Sequence, residues 1–166
     1  MNIVILFSPN FPELVDEFFL DERNAPEIIE TDYDIAPLIY DNKAVVTDYN
    51  DWDFVFLNIE HCFKANFQKK LKKLSKEKPI YMFAVNDTAE ALWFEYHNED
   101  KLQRQWISVE YEVQGNMGEY LKEEQTIGYP FIDEAYEDVG EEMFYELIEE
   151  ITTFDVTTMI DEVKKK

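Results

Sequence analysis

Cysteine occurs once, at Cys62, so the chain can form no internal disulfide and no multi-cysteine zinc cluster. Glycine is nearly as scarce at four residues, none in GxGxxG or GxxxxGK spacing, which removes the phosphate-cradling loops. There is no Gly-x-Ser-x-Gly elbow either. No apolar run approaches the roughly 20 residues needed to span a bilayer. The apolar opening Ile3–Phe7 lacks a basic flank and is cut short by Ser8-Pro9-Asn10, unlike a signal peptide. The expectation is a soluble protein of the cytoplasm.

Positive charge is the other deficit. Lys and Arg number 15 against 37 Asp and Glu, for a net charge of −22 across 166 residues. Such a field repels phosphate backbones and anionic lipid, so direct nucleic-acid or membrane binding is not expected. A cationic partner is. The hydrophobic fraction of 46% and 26 aromatic rings supply a core, which excludes an acidic disordered tail as the whole molecule. Length sets a prior of one domain, residues 1–166.

Periodicity sketches the elements. Residues 3–7 and 80–85 read as buried strands, and 53–59 as another. Asn10, with Glu13 three positions on, suggests a capping box opening a helix through Phe11, Leu14, Val15, Phe18 and Phe19. Short strands are expected near 27–32 and 38–48. Phe63, Phe67, Leu71 and Leu74 mark the inner face of a second helix. Residues 91–97 and 104–113 form an expected hairpin, followed by an irregular glycine-containing connection. A long helix over 134–152, with Gly140 inside it, and a shorter one over 155–164 close the chain. The predicted class is α+β: a mixed or antiparallel sheet with packed helices, two of them C-terminal.

The charge is unevenly placed. Lys64, Lys69, Lys70, Lys72, Lys73, Lys76 and Lys78 stand against Glu77 alone, a local +6, so the remainder carries −28. From Glu123 to Glu162 there is no Lys or Arg, only 14 acids. Glu134, Asp138, Glu142, Glu146 and Glu150 recur every four residues on the long helix, opposite the apolar positions. Each like-charge i,i+4 pair costs about 0.2–0.5 kcal/mol, so helix stability does not account for the ladder. Its drift of about 40° per step brings Glu146 and Glu150 towards the apolar edge, leaving Asp138 and Glu142 the better placed. A solvated face is one reading; a surface for a basic partner is the other. Tyr49 and Trp52, set among Asp48, Asp51 and Asp53, either pack beneath a loop or present rings to the same partner. The candidate partner-binding set is Glu134, Glu137, Asp138, Glu141, Glu142, Glu146, Tyr49 and Trp52.

Catalytic constellations are not legible. His61 and Cys62 are adjacent and cannot face each other as a dyad on a helix, so a buried thiol beside a half-exposed imidazole is expected. His97 falls near a turn with Glu95, Glu99 and Asp100, without metal-site spacing. No cofactor or metal is expected, and the chain reads as a non-enzyme.

The hairpin ALWFEYHNEDKLQRQWISVEYEV, Gly128-Tyr129-Pro130-Phe131 with Glu134, and the acidic helix DEAYEDVGEEMFYELIEEI carry a resemblance. Over residues 91–163 the chain resembles small bacterial immunity proteins of toxin–immunity systems, contact-dependent or type VI. The resemblance implies a cytoplasmic protein that blocks one cognate toxin by covering its active site; a monomer or a homodimer is expected, the latter if the lysine cluster pairs with the acidic helices of a second copy. A basic nuclease cleft is the natural target of an acidic face. The alternative is a nucleic-acid mimic of the anti-restriction or anti-CRISPR kind, its carboxylates standing in for phosphates.

Overall fold

In a computed structural model, which describes residues 1–127 and 140–160, eight strands form one sheet in the order β2-β3-β4-β1-β5-β6-β7-β8. The strands are β1 (Ile3–Pro9), β2 (Ile28–Glu30), β3 (Ala44–Tyr49), β4 (Trp52–Asn58), β5 (Ile80–Asn86), β6 (Ala91–Asn98), β7 (Lys101–Val109) and β8 (Glu112–Gly118). Among the described residues six α-helices accompany them: α1 (Leu14–Phe18), α2 (Ala36–Tyr40), α3 (Phe67–Leu74), α4 (Lys122–Ile127), α5 (Glu141–Thr152) and α6 (Thr157–Ile160). The chain is thus α+β, as predicted. The sheet is mixed, because β2 and β3 run parallel while every other pair is antiparallel.

Both faces of the sheet are covered. On the first, Ile3, Ile5, Phe7, Phe54, Phe56, Phe83 and Phe94 meet Ile39 of α2, Phe144 and Ile148 of α5, and Met159 of α6. On the second, Val4, Leu6, Val55, Leu57 and Met82 meet Phe18 of α1 and Phe67 and Leu71 of α3. This explains the unbroken apolar run of β1: a central strand buried on both sides needs no polar alternation.

Three hairpins close through two-residue turns, Asn50-Asp51, Glu99-Asp100 and Glu110-Tyr111, all six residues having positive φ. Sequence pattern missed two of these. The expected strand over 104–113 is in fact β7, the turn at 110–111 and the start of β8; β8 itself occupies what read as an irregular connection. Gly118 ends β8 at φ +84, where a Cβ would lie 1.9 Å from the Gln103 carbonyl oxygen. That close approach is why glycine stands there.

Other expectations are corrected. Asn10 caps nothing: it has φ 49°, its N–H donates to Asp51 O at 2.7 Å, and α1 begins only at Leu14 without a side-chain cap. Tertiary partners outcompete the local capping box. The stretch expected as strand over 38–48 opens as α2, with Pro37 in its first turn, before β3 starts at Ala44. A 3-10 turn, Ile59–Phe63, capped by the Asn58 side chain, precedes α3, so Phe63 points outward and is 64% exposed. The long C-terminal helix starts at Glu141, since Gly140 is extended at φ −126° and ψ −177°. Residues 134–139 and 161–164 of the two expected helices lie outside the described residues. α4 was not foreseen.

Candidate functional site

Helix α5 lays Met143, Phe144, Leu147 and Ile148 into the core. Its opposite side leaves Glu142, Glu146, Glu149 and Glu150 exposed, a ridge of carboxylates over about 12 Å of helix. Glu146 and Glu150 therefore do not sink towards the apolar edge, and Glu146 stands beside Glu142 as an exposed group. Glu141 is half-buried and accepts a hydrogen bond from the Tyr145 hydroxyl at 3.2 Å. Burial, with Glu141 adjacent, pushes the Tyr145 phenol well above its ordinary range. Thr153 ends the helix in the left-handed region, its N–H donating to Glu149 O at 2.7 Å. Glu134, Glu137 and Asp138 lie outside the described residues.

Tyr49 and Trp52 are cross-strand partners flanking the β3–β4 turn. Both are half-buried. Tyr49 stacks on Phe154 with ring centroids 4.7 Å apart, and Trp52 sits edge-on to Phe7 at 5.8 Å and Tyr81 at 5.9 Å. They pack the end of the first core more than they project from it. The register puts this end of the sheet opposite the β5–β6 and β7–β8 turns, where Glu141 lines a cleft of about 140 Å³ with Asp87, Glu90 and Tyr111. Helix α5 runs from that cleft to Phe154. The ring pair and the start of the acidic ridge are thus separated by a helix length of about 18 Å. Among the described residues, the expected set is not gathered into one site.

The lysine helix lies on the other side of the sheet from α5. Lys70 and Lys64 pair with Glu22, and Lys70 sits over the Phe18 ring at 4.8 Å. Although partial burial works the other way, the two lysines hold the Glu22 carboxyl below the usual carboxylate range. Lys69 and Lys73 line a groove of about 310 Å³ between α1 and α3, floored by Phe18 and Leu74. A contact between α3 of one copy and α5 of another would join opposite faces. It would be head-to-tail, not two-fold.

Two buried polar clusters escaped the sequence. Glu95, wholly buried on β6, accepts hydrogen bonds from Gln68 Nε2 at 2.6 Å, Gln105 Nε2 at 2.7 Å and Trp93 Nε1 at 2.8 Å. His97 Nε2 lies 2.8 Å from its other oxygen. His97 is 1% exposed, so it belongs to the protein interior and not to a solvated turn. The cluster ties α3 to β6 and β7. The second cluster joins Arg104 on β7 to Glu124 on α4, both buried. The only hint in the sequence was polar residues at positions of inward parity in strands.

His61 and Cys62 are both buried in the 3-10 turn, which corrects the half-exposed imidazole expected. Burial pushes the Cys62 thiol up to about 12, far from a reactive thiolate. His61 is held below its usual range by burial, and its Nε2 lies 3.1 Å from Asn42 Oδ1. Among the described residues no group of three or more His, Cys, Asp or Glu is arranged to hold a metal. No helix among them is long and apolar enough to cross a membrane.

What fold and surface define is an α+β protein with one mixed sheet, helices on both faces and an acidic outer ridge. No family model, curated protein or solved structure matches the chain.

Proposed function

We propose that this protein is a binding inhibitor, an immunity protein that neutralises a cytoplasm-acting toxin by laying acidic surface over a basic active-site cleft. The observation that carries the reading is the α5 ridge. Glu142, Glu146, Glu149 and Glu150 face solvent on a helix whose other side is wholly engaged in the core. Like charges at these spacings weaken a helix, so their retention there favours a role outside the fold. An acidic ridge on a rigid helix accelerates encounter with a cationic partner and fixes its orientation. The Glu95–His97 and Arg104–Glu124 clusters are closed to solvent and explain packing.

Co-expression with the product of the neighbouring gene and affinity purification tests the reading. The expected result is a stoichiometric complex and protection of the cell from that product. Equal toxicity with and without this protein would overturn it. Competition of the complex by duplex DNA would instead favour a nucleic-acid mimic. Within a complex, Glu142→Lys combined with Glu146→Lys is expected to slow association and flatten its salt dependence. An unchanged association rate would move the interface off α5.

A further inference from the structure

We propose that the cleft between α1 and the β2–β3–β4 edge of the sheet is an anchoring pocket for one lysine or arginine side chain of a protein partner. This rests on the partner-binding reading above but concerns a different face of the molecule.

Helix α1 covers only part of the second sheet face, leaving a cleft of about 300 Å³ beside it. Its walls are apolar where Val15, Val46 and Val55 contribute, and acidic where Glu30, Asp48 and Asp53 do. Among the described residues, no basic one lines it. Asp48 and Asp53 are direct cross-strand partners in β3 and β4, and like charges so placed destabilise a sheet. Asp53 has a structural duty, since its Oδ2 accepts the Phe11 N–H at 2.7 Å. Asp48 has no such duty that would explain a second carboxylate opposite the first. Burial, opposed by that hydrogen bond and reinforced by Asp48 and then Glu13, keeps the Asp53 carboxyl above its ordinary range. A cation placed here would relieve the repulsion.

A long basic side chain matches both halves of the cleft. Its aliphatic stem suits the valine wall, and its head meets carboxylates, with the arginine fork able to bridge two. A free polyamine carries charge at both ends and would leave one of them against the apolar wall.

The full chain, labelled with nitrogen-15, is titrated with N-acetyl-arginine methylamide, with N-acetyl-norleucine methylamide and with spermidine. Expected are saturating amide shifts at residues 46–48 and 53–55 with the arginine probe and none with norleucine. Asp48→Asn, an exposed and conservative change, is expected to weaken arginine binding about tenfold, the loss of one charge-assisted contact. Glu142→Lys with Glu146→Lys is expected to leave it unchanged. Shifts that fail to saturate, that saturate at the same arginine concentration in Asp48→Asn, or that spermidine produces at lower concentration would overturn the proposal. A partner complex that forms equally well with Asp48→Asn overturns the anchor while leaving the partner reading intact. Loss of the complex only in the α5 variant does the same.

Discussion

Arg104 and Glu124 meet as a doubly hydrogen-bonded pair, Nε to Oε2 at 3.1 Å and Nη2 to Oε1 at 3.0 Å, with both side chains closed to solvent. The guanidinium also donates to the Asn116 side chain and to the Met117 carbonyl, and lies over the Tyr120 ring at 4.8 Å. Glu124 Oε2 in turn accepts the Leu121 N–H at 2.6 Å. One ion pair therefore ties α4 to β7 and, through Asn116 and Met117, to the edge strand β8.

Removing one partner leaves the other buried without its counter-charge, which costs about 3–5 kcal/mol in such pairs. Glu124→Gln is expected to fall at the low end, because Arg104 keeps its neutral acceptors. Urea unfolding measures it. The double change Arg104→Met with Glu124→Leu is expected to recover most of the loss. A single variant as stable as the parent would mean the pair contributes nothing to holding α4.

The turn at Glu110-Tyr111 places two side chains at φ 50° and 66°, where Asn-Gly is the preferred pair. Relief of a left-handed conformation is worth about 1 kcal/mol per residue. Tyr111→Gly with Glu110→Asn is therefore expected to raise the melting temperature by several degrees. Tyr111 is 41% exposed at the mouth of the cleft that Glu141 lines. If the strained ring is kept for a partner, the stabilised variant will bind that partner more weakly. Scanning calorimetry and a binding assay on the same variant separate the two effects.

The Asp53 carboxyl is raised above its usual value of 3.8 by burial and then by Asp48 and Glu13, so the folded protein holds its proton to higher pH than the unfolded chain. The associated stability is present at acid pH and is lost as pH rises through the window just above 3.8. Asp48→Asn narrows that window. At neutral pH the variant is expected to be more stable by a few tenths of a kcal/mol, a modest gain because the pair is partly solvated. The advantage should vanish when both carboxyls are protonated. Urea midpoints of parent and variant from about pH 3 to about pH 7 would show it; a constant difference would contradict it.

Sequence reasoning reached the elements whose signal is local. The apolar run of β1, the three-and-four spacing of Phe67, Leu71 and Leu74 in α3, and that of Met143, Phe144, Leu147 and Ile148 in α5 all lie within one element. Their periods reveal which side meets a core without any knowledge of what that core is. The α+β class followed from these patterns, and so did the acidic outer face of α5.

Pairings between distant residues were beyond that reach. The fate of Glu95 depends on Gln68 and Gln105, and that of Arg104 on Glu124, which only the assembled sheet and helices bring together. Local propensity also missed the turn at Glu110-Tyr111, because these are poor left-handed residues held there by the pairing of β7 with β8. The separation of Tyr49 and Trp52 from Glu142 was decided the same way, by the register of β1, β4 and β5. By itself the sequence determined a charge of −22, the placement of its basic exception and the apolar faces. Tertiary structure alone decided which carboxylates are buried and which are opposed across strands, because solvation and Coulomb energies depend on distances that chain position does not set.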